Sequence, residues 1–71
     1  MQTFRTFGSA DEARAYRHEN GTGGWIFDPD PGVSLSAWSA EAILFPPEMT
    51  PSSIFRHPLT QGRSGNLIGH G

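Results

Sequence analysis

Two short apolar runs constrain this chain more than any other feature. They are Trp25-Ile26-Phe27 and Ala42-Ile43-Leu44-Phe45. Gly23-Gly24 and Asp28-Pro29-Asp30-Pro31-Gly32 bracket the first run, and Ser39-Ala40-Glu41 and Pro46-Pro47 bracket the second. Runs of this length between turn residues read as strands, and these two concentrate six of the chain's fifteen Trp, Phe, Ile and Leu residues, so they form the expected sheet core. Alternation sends Trp25 and Phe27 to one face and Ile26 to the other. In the second run Ala42 and Leu44 oppose Ile43 and Phe45. Apolar residues on both faces require cover on both sides, from a helix and from the C-terminal segment or a second subunit.

The remaining elements follow from local signals. Gln2-Thr3-Phe4-Arg5-Thr6-Phe7 has strand composition, with Phe4 and Phe7 on opposite faces and a place at a sheet edge. Ser9-Ala10-Asp11-Glu12 is a capping box, in which Ser9 accepts from the Glu12 amide and Glu12 reaches back to the Ser9 amide. It predicts a helix from Ala10 to about Glu19, stopped by Asn20-Gly21. Ala10, Ala13, Tyr16 and Arg17 share one face of that helix by their spacing. Its small apolar residues let it lie close against the sheet. Residues 28–41 make a long connection, with Val33, Leu35 and Ala37 alternating with serine. Thr50-Pro51-Ser52-Ser53 starts a second, short helix, with Thr50 as cap and Pro51 in the first turn. Ile54 and Phe55 are expected to dock it on the core. The predicted fold is therefore α+β. A small, mainly antiparallel sheet in the order strand, helix, strand, strand is followed by a short helix. One domain spans 1–58, and 59–71 form an extended or mobile tail.

Seventy-one residues bury only about 60% of their unfolded surface, so such a domain is marginally stable unless stapled or oligomeric. There is no cysteine to provide a disulfide or a thiolate zinc site. No run approaches the roughly 20 apolar residues of a membrane helix, and the N-terminal residues have no signal-peptide core. These features fit a cytoplasmic protein with no membrane contact. The net charge of −2 argues against a nucleic-acid partner. All five basic residues are arginine, which suits protein interfaces because its planar fork pairs with carboxylates and stacks on aromatic rings.

Catalytic and cofactor chemistry finds little support. His18, His57 and His70 lie on separate segments, without the close spacing of metal ligands. Ser53 and His57 could meet on one helical turn, but a triad also needs an oxyanion site and a dry pocket. Gly21-Thr22-Gly23-Gly24 leaves a helix and enters a strand, the reverse of a phosphate loop. The expectation is a protein without cofactor, metal or catalytic residues.

The candidate contact residues are Trp38, Leu35, Asp30, Arg56 and Arg63. Trp38 sits among serine and alanine, outside any apolar strand. There it is either an interface anchor or a lid folded over the sheet. Leu35 and Asp30 lie on the same long connection, while Arg56 and Arg63 form a second patch with Ile54 and Leu59. The run from Asn20-Gly21-Thr22-Gly23-Gly24-Trp25-Ile26-Phe27 through Ile43-Leu44-Phe45-Pro46-Pro47 to Thr50-Pro51-Ser52-Ser53-Ile54-Phe55-Arg56-His57-Pro58 resembles small proteins encoded by bacteriophages and prophages. The resemblance implies an accessory protein of the host cytoplasm that binds a host or phage macromolecule. Inhibitors of host defence or transcription are one such class. The expected function is thus a non-enzymatic protein-binding module. A homo-oligomeric accessory protein and a nucleic-acid-associated one are the alternatives.

Overall fold

A computed structural model describes residues 4–21, 23–33, 35 and 40–69. Strand β1 (Arg5–Phe7) leads into helix α1 (Ala10–Asn20), followed by β2 (Trp25–Pro29), β3 (Ala42–Phe45), helix α2 (Pro51–Phe55) and β4 (Gly65–Ile68). The four strands form one antiparallel sheet in the order β1-β3-β2-β4. The class is α+β, as the sequence predicts. Of the two readings of residues 59–71, the extended one holds for Gly65–Ile68, which complete the sheet against β2.

Helix α1 begins where its sequence says it must. Ser9 is extended, and its hydroxyl accepts from the Glu12 amide at 3.2 Å. The Glu12 carboxylate reaches one residue further back than a standard capping box, to the Gly8 amide at 3.2 Å. Gly21 closes the helix in the left-handed region, and its amide donates to the Arg17 carbonyl. In α2 the Thr50 side chain accepts from the Ser53 amide, and Pro51 stands in the first turn.

The pleat divides the core in two. Phe27, Ile43 and Phe45 face one side with Leu35 and Ile54, joined by half-buried Phe4, Trp25, Met49, Leu59 and Leu67. Ile26, Ala42 and Leu44 face the other with Ala13 of α1, joined by Phe7, Ala10, Tyr16 and Ile68. Every side chain of β3 is buried. This matches the expected alternation, including the opposite directions of Phe4 and Phe7. Both faces are covered within the chain, one by α1 and the other by α2, Leu35 and Leu59. The second subunit considered as cover for the sheet is therefore not needed for that purpose.

β2 runs two residues beyond the expected strand, through Asp28-Pro29. The register sets Phe27 opposite Ile43, so Pro29 lies past Ala42, the first residue of β3. A proline without an N–H is tolerated there because the missing donor faces no partner. The entry to β2 is tighter. Gly24 has φ 122°, and a Cβ on it would lie 2.5 Å from the Phe45 carbonyl oxygen. Only glycine fits that approach.

Arg17 ties the layers together. Its guanidinium donates to the Gly24 carbonyl and to the Ile68 carbonyl, each at 3.1 Å. One side chain near the end of α1 thereby holds the start of β2 and the end of β4. Beyond α2, buried Thr60 donates through its hydroxyl to the Ile54 carbonyl, fixing the turn that leads to β4.

Candidate functional site

Of the five contact residues read from the sequence, the structure describes Asp30, Leu35, Arg56 and Arg63. Leu35 is only 4% exposed and belongs to the core with Phe27 and Ile54, so its place as a contact residue is corrected. Its buried side chain explains why alternating apolar residues occur in the long connection. Trp38 lies outside the described residues. Asp30, Arg56 and Arg63 stand on three different turns, after β2, after α2 and before β4.

Asp30 borders an open recess of about 250 Å³ between the start of α1 and the end of β2. Asp28, Glu41, Gly8 and Ser9 also line it. The helix start does not make this an anion site. The Glu12 amide is taken by Ser9, and the Gly8 amide by the Glu12 carboxylate. Three carboxylates in the rim would repel an anion. Among the described residues no group of three or more histidine, cysteine or acidic side chains is placed to hold a metal ion. No helix among them is long and apolar enough to cross a membrane.

The Ser53–His57 pairing is not assembled. Ser53 Oγ accepts from Thr50 Oγ1 at 3.1 Å, within the cap of α2. His57 Nδ1 accepts from the Leu59 amide at 3.1 Å. The His57 ring packs edge-on against Phe45 at 5.2 Å and Phe4 at 5.4 Å. That geometry gives His57 a structural task, which is to pin the turn after α2 to the sheet.

Most arginines are engaged with the protein itself. Arg5 lies over the Tyr16 ring at 4.8 Å. Arg14 pairs with Asp11 at 3.4 Å, in an exposed contact of little energetic weight. Arg17 binds two backbone carbonyls, and Arg63 donates to the Gln61 carbonyl at 3.1 Å. Arg56 is exposed at the end of α2, where its backbone amide closes the helix on Ser52 and Ser53.

Phe55, next to Arg56, was expected in the core beside Ile54. Ile54 is fully buried, whereas Phe55 is 41% exposed and is the large hydrophobic residue displayed among those described. One edge of its ring still rests on Phe27, with ring centres 6.0 Å apart. Neighbours on a helix point about 100° apart, and here Ile54 takes the centre of the inward face while Phe55 lies at its margin. Phe55 and Arg56 therefore form a small apolar and cationic surface at one end of α2.

Comparison with protein-family models, with curated proteins and with solved structures gave no match to this chain.

Proposed function

We infer that the chain is a non-enzymatic protein-binding module that holds its partner through Phe55 and Arg56. The observation that carries this reading is Phe55, 41% exposed where the other large apolar side chains among the described residues are wholly or partly buried. An aromatic ring anchored on a core residue is a rigid contact that loses little entropy on binding, and arginine is its usual companion at interfaces. The arrangement of Arg5, Arg14 and Arg17 supports a protein partner over a nucleic acid, since all three are directed at the protein's own rings, carboxylates and carbonyls. By the resemblance to phage-encoded accessory proteins, the partner is a protein of a bacterial host, and the module acts as its inhibitor or modulator.

The test is affinity capture from a bacterial host lysate with the wild type, Phe55→Ser, Arg56→Ala and Trp38→Ala, each shown to be folded by circular dichroism. The expected result is one stoichiometric partner, lost with Phe55→Ser and reduced with Arg56→Ala. A central aromatic contact is worth about 2 kcal/mol or more, or roughly a 30-fold rise in Kd. Loss with Trp38→Ala alone would move the interface to the long connection. Capture of nothing by any form would overturn the reading.

A further inference from the structure

The hydrogen-bonding edge of β4 faces outward, away from β2. The amide of Asp30 donates to the Ser64 carbonyl at 3.0 Å, just beyond the paired residues. Antiparallel strands alternate between bonded and non-bonded pairs. Asp28 with Asn66 and Ile26 with Ile68 are therefore the bonded pairs, while Phe27 with Leu67 and Pro29 with Gly65 are not. The backbone N–H and C=O groups of Gly65 and Leu67 consequently point to the open side. Among the described residues β4 has β2 as its one neighbour in the sheet.

Natural sheets guard such edges with charge, proline, bulges or brevity. The opposite edge, β1, has three residues and carries Arg5. β4 reads Gly65-Asn66-Leu67-Ile68 and has neither charge nor proline. Its pattern is also self-complementary. A two-fold axis through Asn66, perpendicular to the sheet, sets Gly65 of one copy opposite Leu67 of the other. Both residues have outward backbone groups, so each such pair exchanges two hydrogen bonds. Leu67 then faces a residue with no side chain, which removes crowding on that face. Asn66, exposed in the single chain, faces its own copy, and two carboxamides can donate to and accept from each other. Because β4 ends at Ile68, this register uses both outward residues within the strand. Among the described residues helix α1 packs over β1, β3 and β2 and touches β4 through Arg17, well inside the outer edge of the sheet.

We propose that two copies of this chain pair antiparallel through β4 around Asn66, giving one continuous eight-stranded sheet. The perpendicular axis keeps both α1 helices on one side and both Phe55–Arg56 surfaces on the other. The proposal is independent of the Phe55 reading, because its contacts are backbone groups and Asn66. The seam is short, so the dimer is weak and depends on concentration.

The experiment is sedimentation equilibrium of the whole chain up to millimolar concentration, with Asn66→Lys, Asn66→Asp and their equimolar mixture. Asn66 is exposed, so both variants are expected to retain the wild-type circular dichroism, while its cross-strand neighbour Asp28 should raise the urea midpoint of Asn66→Lys and lower that of Asn66→Asp by the equivalent of about 0.2–1 kcal/mol, too little to unfold either chain. The wild type is expected to show a monomer–dimer equilibrium. Each charged variant places like charges directly opposite across the axis and should dimerise at least about tenfold more weakly. The mixture should restore dimer as the lysine–aspartate pair. A wild type that stays monomeric throughout overturns the proposal. So do charged variants that dimerise as well as the wild type, or a mixture no tighter than its components.

Discussion

Replacing Arg17 by methionine keeps most of the side-chain stem and removes both hydrogen bonds to the Gly24 and Ile68 carbonyls. Each bond is 3.1 Å long and has a charged donor. Such bonds contribute about 1.5–3 kcal/mol when well buried. Arg17 is half-buried, so solvent screening lowers each to about 1 kcal/mol and the pair to about 2 kcal/mol. A domain of this size has only about 3–5 kcal/mol in total, so the variant is left with about half its stability. The thermal midpoint should fall by about 8–16 °C, at about 4–8 °C per kcal/mol for a domain of this length. In urea, with a slope near 1 kcal/mol per molar, the midpoint should drop by about 2 M without a change in slope. Both bonds leave from one guanidinium nitrogen, so the three-donor ammonium of Arg17→Lys can serve both carbonyls, but its stem is one atom shorter and the bonds are longer, so it should lose about half as much. Amide exchange at Ile68 should accelerate in both variants more than at Ile43, in the middle of the sheet. A loss below about 0.5 kcal/mol for Arg17→Met would refute the idea that this guanidinium holds α1 to the end of β4.

Neighbouring residues on α2 should respond very differently. Ile54→Ala empties a fully buried site and should cost about 2–5 kcal/mol, while Phe55→Ala loses one edge-on ring contact and should cost about 1 kcal/mol, both by urea unfolding. Gly24→Ala should cost about 2 kcal/mol or more in the same assay, because the added Cβ meets the Phe45 carbonyl at 2.5 Å in a backbone conformation that alanine resists. Gly32→Ala, also at positive φ but with nothing within 4 Å, should cost about 1 kcal/mol.

Much of this architecture was legible because its causes are local. The Ser9–Glu12 cap and Gly21 set the ends of α1 within single turns of chain. The faces of β2 and β3 follow from a period of two that no tertiary contact can change without moving the whole strand. From sequence β4 reads only as extended or mobile, because glycine and asparagine are poor strand formers and Leu67-Ile68 is a short apolar pair. Its place is decided at a distance, by the open side of β2 and by Arg17. Leu35 misled for a related reason: a leucine flanked by serines looks like surface until the depth of the core beside Ile54 is known. Phe55 sits at the margin of the face that Ile54 buries, and how far the core extends beside Phe27 decides its exposure. The strand at Asp28-Pro29 was hidden under turn-like composition and depends on where β3 happens to begin.

The Arg17 clamp joins residues 51 positions apart. A chain emerging from the ribosome can bring α1 onto β1, β2 and β3, but the clamp stays half made until Gly65–Ile68 have followed. Such distant pairings raise the mean sequence separation of the contacts, and the folding speed of this small domain should be lower for it. Until then β2 lacks one neighbour and the guanidinium lacks one of its carbonyls. The growing chain is most exposed to proteases and to sticking during that interval.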